Sequence, residues 1–219
     1  MSIRKISFAE GEYYHLYNRG NSKQIIFIDD LDYNRFLSLI FLCNSRKNIN
    51  FRDAFEINED IFNFDRDETI VDIGSYCLMT NHFHLLVKEK SEGGISLFMQ
   101  KLSTAYVMYF NKKYTRSGSL FEGKFKSQHV DSDKYLKYIF SYIHLNPVKL
   151  IFSKWKKEGI RDKNEAYNFS KQYKYSSFFL FNKEKEEKFS YILNILSFPK
   201  YFNNASEYKK EIFEWLNYP

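Results

Sequence analysis

The chain has 219 residues, of which 44% are hydrophobic, 27% charged and 20% aromatic, and its formal net charge at pH 7 is +6. This composition is typical of a globular chain and excludes global disorder, collagen-like repeats and, with two cysteines, a disulfide framework. The sequence has neither an apolar run of about 18 residues nor an apolar signal segment. It therefore predicts a cytoplasmic protein that does not contact a membrane.

Strands and helices alternate in the first half of the chain. A strand is predicted at about 12–18, and a helix follows that Asp29 or Asp30 caps. Residues 47–68 are predicted to form an acidic, weakly structured insertion. Two further strands, at about 69–78 and from His82 onward, are expected to form a hairpin.

The second half of the pattern completes a known element order. It comprises a helix at about 95–113, a loop and strand over 118–130, and a helix that Ser132 or Asp133 caps and Pro147 ends. The order β-α-β-β-α-β-α predicts an α+β fold, a ferredoxin-like split βαβ with an antiparallel sheet and an added helix. One face of this sheet is expected to be open.

The predicted fold divides the chain in two. Residues 1–150 are expected to form the main domain, which includes the insertion at about 47–68. Residues 151–219 are expected to form a C-terminal helical extension, with helical stretches at about 163–183 and 205–217.

Two histidines, His82 and His84, flank Phe83 in the third predicted strand. Alternate side chains of a strand project to the same face, so both imidazoles can reach one divalent cation while Phe83 points into the core. An isolated pair of this kind is also typical of histidines that face solvent or bond within a sheet. The pair alone leaves both interpretations open.

The helix before Pro147 carries a stripe of polar side chains. Tyr135, Tyr138, Tyr142 and Asn146 recur at intervals of three or four residues, which places them on one helix face. If this face lies against the open side of the sheet, Tyr142 and Asn146 approach both histidines. The spacing does not choose between Tyr138 and Tyr142, tyrosine stripes are more often packing surfaces, and Asn146 also suits a helix end before proline.

Several longer motifs occur in order along the chain, in addition to the histidine strand and the tyrosine helix. They are YHLYNRGNSKQIIF, YCLMTNHFHLLV, YFNKKYTRSGSLFEGKFKS, YIHLNPVK and YKYSSF. Through them the chain resembles the single-tyrosine HUH transposases, most closely the REP-associated tyrosine transposases, over about residues 10–182. The resemblance implies that His82 and His84 bind a catalytic metal, that Tyr142 attacks DNA, and that Asn146 is the third ligand. It thereby selects Tyr142 over Tyr138.

The resemblance also implies a reaction and its partners. It predicts a nickase and strand transferase that forms a 5′-phosphotyrosine on single-stranded or hairpin DNA, working as a monomer or homodimer. A phenol with an ordinary pKa near 10 is a weak nucleophile at neutral pH, so it needs a phosphate that a cation has polarised. Two imidazoles and an amide oxygen leave positions open in an octahedral Mg²⁺ or Mn²⁺ shell.

Basic residues that alternate with aromatic ones predict a DNA-binding surface. Residues 52–68 carry a net charge of −5, whereas residues 101–137 carry +5. Lysine and arginine neutralise phosphates and aromatic rings stack on bases, although an AT-rich genome would produce a similar composition. The predicted phosphate-binding residues are Arg19, Lys23, Lys112, Lys113, Arg116, Lys124 and Lys126. Glu122 and Lys124 stand where relatives commonly carry glutamine and arginine, which predicts weaker bidentate phosphate binding.

Two other functions compete with the nickase. One is a catalytically inactive, domesticated module that binds hairpin DNA or RNA. The other is a zinc or manganese hydrolase with a water nucleophile, which lacks carboxylates beside the ligands and gives the tyrosine no role. The intact histidine pair and the Tyr-x-x-x-Asn spacing favour the nickase. His15, His129 and His144 are predicted to be structural.

Overall fold

The structure, a computed structural model, describes residues 7–57, 60–182, 188–202 and 204–217. Its centre is a four-stranded sheet in the order β2-β3-β1-β4, with each neighbouring pair antiparallel. The strands are β1 (Tyr13–Arg19), β2 (Val71–Met79), β3 (His82–Glu89) and β4 (Lys126–Val130). This is the strand order of a ferredoxin-like split βαβ, so the predicted fold is confirmed.

The described residues form eight α-helices. They are α1 (Asp30–Cys43), α2 (Phe51–Ile57), α3 (Gly94–Lys113), α4 (Asp133–His144), α5 (Val148–Ile151), α6 (Trp155–Glu158), α7 (Lys163–Gln172) and α8 (Ala205–Trp215). Asp29 caps α1 and Ser132 caps α4, each through a side-chain oxygen that accepts a backbone N–H of the first turn. None of the described helices is long and apolar enough to cross a membrane.

The two faces of the sheet bury different sets of side chains. Helices α1 and α3 cover one face, and Phe83 lies in the large core between them and the strands. Helix α4 covers the other face, where its Leu136 and Ile143 pack near Leu86 of β3. Phe83 therefore points into the core, as predicted. His84, two positions before Leu86 in β3, lies on the same face as Leu86, which is the face that α4 covers.

Helix α4 packs on the sheet through its apolar stripe, and Tyr135, Tyr138 and Tyr142 are partly buried against the same core. Burying aliphatic side chains stabilises the fold by about 25 cal/mol per Å², whereas burying a phenol hydroxyl requires a hydrogen-bond partner. The aliphatic face is therefore the side that turns inward.

The acidic segment is more ordered than predicted. It contains α2 and a 3₁₀ helix at Ile61–Asn63. The ring of Phe62 packs on Phe41 of α1, with the ring centroids 5.0 Å apart. Apolar residues between the acidic ones thus anchor the segment to α1.

The chain after residue 150 packs against both the sheet and α4. Ser176 forms a β-bridge with Cys77 of β2. Helices α7 and α8 form a third core around Phe178 and Tyr208, together with Leu145 at the end of α4. The predicted helical stretches are found, although α7 ends at Gln172 and a 3₁₀ helix follows at Ser177–Asn182. The domain boundary at residue 150 stays a prediction.

Candidate active site

His82 and His84 lie on the same face of β3, with ring centroids 5.1 Å apart. The Nδ1 atom of His82 lies 2.7 Å from Asn81 Oδ1, an acceptor, so this nitrogen carries the proton. The Nδ1 atom of His84 lies 2.9 Å from His15 Nε2. Both Nδ1 atoms are therefore engaged, which leaves Nε2 of each ring as the nitrogen for a cation.

Burial keeps both rings neutral. It lowers the pKa of His82 to about 4, and the charges of Lys149 and Arg19 add to the effect. Burial also lowers the pKa of His84 well below 6.5, with smaller contributions from His15, His82 and Lys149. A divalent cation binds the lone pair of a neutral imidazole, so these rings are ready to bind one at neutral pH.

His15 is a member of the site that the sequence analysis missed. It is 5% exposed and lies on β1, directly beside β3. Burial lowers the pKa of His15 to about 4, so its bond to His84 joins two neutral rings, one donating an N–H and the other accepting. Such a bond fixes the orientation of a metal-binding ring. The strand register that creates the contact is long-range, and no local sequence signal indicates it.

Tyr142 approaches the histidines from the flank of α4. Its ring centroid lies 5.6 Å from that of His84 and 5.7 Å from that of His15. Burial raises its pKa above 10.0, so the phenol keeps its proton at neutral pH in the absence of a cation. Tyr138, one turn earlier, packs instead on Trp215 of α8 at 4.6 Å. Packing thus distinguishes two tyrosines that helical spacing leaves equivalent.

Asn146 is buried one turn after Tyr142, at 1% exposure. Its Nδ2 donates to the Tyr142 carbonyl oxygen at 2.9 Å, and its Oδ1 accepts from Lys149 Nζ at 2.9 Å. Neither of these two bonds goes to His82 or His84. The predicted third ligand is therefore bonded to the backbone of Tyr142, with its side-chain oxygen turned toward an ammonium group.

Few metal-binding side chains are available at this site in the described part of the chain. In the described part of the chain, no group of three or more His, Cys, Asp or Glu side chains could hold a metal ion. A cation here would rely on the two imidazole nitrogens and on an oxygen from another residue type, such as Asn146. Water or phosphate oxygens would complete the shell of such a cation.

Three of the predicted phosphate-binding residues act electrostatically on Glu122, near the histidine end of the sheet. Arg19 lies opposite His82 in the β1–β3 pairing and forms an ion pair with Glu122. The hydrogen bond from Arg19 lowers the pKa of Glu122, and the charges of Lys126 and Lys23 lower it further. The charges of these three cations thus all act on one carboxylate, whose partner Arg19 lies opposite His82.

The other basic candidates are more scattered. Lys112 and Lys124 are exposed. Arg116 donates to Gln24 Oε1 at 3.2 Å and to Asn111 Oδ1 at 3.4 Å, which ties its loop to α3. These residues stay predicted DNA contacts, and Arg116 also has a structural role.

Lys113 carries a structural ion pair, which gives a stability prediction. Its Nζ lies 2.8 Å from Oδ1 of Asp32, whose side chain is 0% exposed, and 2.7 Å from Oδ1 of Asp29. We expect Lys113→Met to lower the free energy of unfolding by about 2 kcal/mol, because a buried carboxylate loses its cation. Lys112→Met is the matched control and should change it by less than about 0.5 kcal/mol. Urea denaturation measures both, and equal midpoints would contradict the structural role.

The chain is similar to one family of known proteins and to a solved structure. The family described as "Transposase IS200 like" matches residues 32–146, a range that includes both histidines, Tyr142 and Asn146. No curated protein matches the chain. One similar solved structure is that of a REP-associated tyrosine transposase bound to a REP hairpin. It is 12% identical, the match covers 82% of this chain and 84% of that chain, and the TM-score is 0.49.

Proposed function

The chain belongs to the family of IS200-like transposases, and on this basis we propose that it is a metal-dependent enzyme that nicks single-stranded DNA beside a hairpin and transfers the strand. The observation that carries the proposal is the approach of Tyr142 to His84, with ring centroids 5.6 Å apart. A nucleophile and a metal-binding ring on different elements thus lie close together. The hairpin substrate rests on the motifs that resemble REP-associated tyrosine transposases.

Each residue of the site has a distinct role in this proposal. His82 and His84 would hold the cation through Nε2, and Asn146 would add its amide oxygen. The cation supplies Lewis-acid polarisation of a phosphate oxygen. His15 keeps the His84 ring in place through the 2.9 Å hydrogen bond.

The proposed cleavage step exchanges one phosphate ester bond for another. Tyr142 Oη attacks the phosphorus, the Oη–P bond forms, and the bond from phosphorus to the 3′ oxygen breaks. The phenol proton passes to solvent, and the departing 3′ oxygen takes up a proton to become a hydroxyl. A 3′ hydroxyl from another end reverses the step, so strands are rejoined without a nucleotide cofactor.

The proposed DNA-binding surface begins at the end of β1. Arg19 pairs with Glu122 there and lies opposite His82, and the charges of Lys23 and Lys126 also act on Glu122. Cations next to the reacting phosphate hold the strand in position for attack. We propose these three residues as the main phosphate contacts of this surface.

The test is an adduct assay with labels at both DNA ends. The protein is incubated with Mn²⁺ and a hairpin oligonucleotide that has a single-stranded flank, then denatured. A 5′-phosphotyrosine keeps the 3′-terminal label on the protein and releases the 5′-terminal label. Binding without an adduct would favour the inactive module, and cleavage without an adduct would favour a hydrolase.

The ion pair at this surface gives a DNA-binding prediction. Glu122 competes with phosphate for Arg19, so Glu122→Gln should tighten binding of single-stranded DNA by about threefold to tenfold and steepen its salt dependence by about one phosphate contact. Glu12→Gln is the matched control, because it removes the same charge from a residue that instead bonds His129. Fluorescence anisotropy at several salt concentrations measures both. Equal gains in the two variants would indicate net charge rather than release of Arg19.

A further inference from the structure

Lys149 occupies a position that the proposed function does not yet explain. It follows α4 at the start of α5, and its Nζ donates to Asn146 Oδ1 at 2.9 Å. The same Nζ lies 5.7 Å from the ring centroid of Tyr142. Its charge also acts on both His82 and His84. Lys149 is thus next to the nucleophile and next to an oxygen proposed to bind metal.

A basic pocket opens beside this lysine. Its volume is about 480 Å³. The lining residues are Lys149, Ser153, Lys154, Trp155, Lys157 and Glu158. Lys154 and Lys157 are exposed, and the one acidic lining residue pairs with Lys154 at 3.5 Å. A concave surface with an excess of positive charge, lined in part by the lysine that bonds Asn146, suits a phosphodiester of the DNA strand.

We propose that Lys149 binds a backbone phosphate of the DNA strand at the active site and, in doing so, releases Asn146 Oδ1 to the cation. This inference rests on the proposed function and adds a positioning residue to it. It predicts that DNA and the divalent cation each strengthen the binding of the other. Without DNA, Lys149 holds the amide oxygen and opposes the cation.

Electrostatics explains why Lys149 would leave Asn146 Oδ1 for a DNA phosphate when a cation binds. An amide oxygen has two lone pairs, so shape alone permits an ammonium group and a metal ion on the same atom. The two positive charges repel each other, and water screens them weakly because Asn146 is 1% exposed. A phosphate oxygen carries negative charge and is a stronger acceptor for Lys149 than a neutral amide. DNA therefore removes the opposing charge from the metal ligand, and the coupling is reciprocal.

The test measures Mn²⁺ binding directly, from the electron paramagnetic resonance signal of free Mn²⁺. The double variant His82→Ala/His84→Ala supplies the background, including Mn²⁺ bound by DNA. For Lys149→Met without DNA we expect about fivefold tighter Mn²⁺ binding than in the unaltered protein. The hairpin oligonucleotide should tighten Mn²⁺ binding in the unaltered protein and in Lys149→Arg, which keeps the charge, but not in Lys149→Met.

A matched control and the adduct assay separate the possible outcomes. Lys154→Met removes a charge from the same pocket without touching Asn146, so its DNA-free Mn²⁺ affinity should stay within about twofold of the unaltered protein. Unchanged or weaker Mn²⁺ binding by DNA-free Lys149→Met would overturn the inference, even if the unaltered protein forms the adduct. An unaltered protein that forms no adduct would instead refute the proposed function, while the DNA-free titration would still show whether Lys149 opposes the cation.

Discussion

Tyr142→Phe is expected to abolish the covalent DNA adduct, with a loss of at least about a thousandfold in the rate of strand cleavage. The variant lacks the oxygen proposed to attack phosphorus, but it keeps the ring that packs on His84 and His15. Because burial raises the pKa of Tyr142, the substitution removes a neutral hydroxyl and no charge. Stability should therefore change by about 1 kcal/mol or less, and DNA affinity should be retained.

Tyr138→Phe is the matched control for this prediction. It makes the same chemical change one turn earlier on α4, where the ring packs on Trp215 rather than on the histidines. The labelled adduct should form at the rate of the unaltered protein. An adduct that survives in Tyr142→Phe and disappears in Tyr138→Phe would show that the nucleophile was assigned to the wrong tyrosine. The rate of adduct formation on a denaturing gel decides between them.

The fold could be predicted because its elements are specified locally. Asp29 and Ser132 begin their helices with side-chain caps, and both residues were among the predicted alternatives. The alternation around Phe83 correctly separated the core face of β3 from the other face. The neighbours of Tyr142 could not be predicted in the same way, because the placement of α4 depends on burying its aliphatic side chains against a sheet that the sequence does not display.

The candidate site was predictable only in part, because its remaining contacts join distant segments. His15 reaches His84 across 69 sequence positions, through the register of β1 on β3. Arg19 meets Glu122 across 103 positions. Lys149 is close in sequence to Asn146, but it follows Pro147 by only two residues, and no periodic pattern there predicted the direction of its side chain. Local patterns identify residues that can perform chemistry, and tertiary packing decides which partners modulate them.

His82→Ala is expected to lower Mn²⁺ affinity by more than about a hundredfold and to reduce the adduct in proportion. The side chain is partly exposed, so this variant leaves a smaller cavity than a substitution at buried His84 would.

His15→Ala should lower Mn²⁺ affinity by about tenfold to a hundredfold, because it removes the hydrogen bond that orients His84 but no proposed ligand. This order of effects distinguishes a ligand from a residue that positions one.

His129→Ala completes the series as a control, because His129 lies on edge strand β4 and bonds Glu12. Its Mn²⁺ affinity and adduct yield should equal those of the unaltered protein. Isothermal titration with Mn²⁺ and the adduct assay measure all three variants. If His82→Ala bound Mn²⁺ as tightly as His129→Ala and still formed the adduct, the cation would bind elsewhere, and the paired imidazoles would be structural members of the sheet. If the affinity fell for His82→Ala but not for His15→Ala, the histidine pair would bind the cation without needing its neighbour on β1.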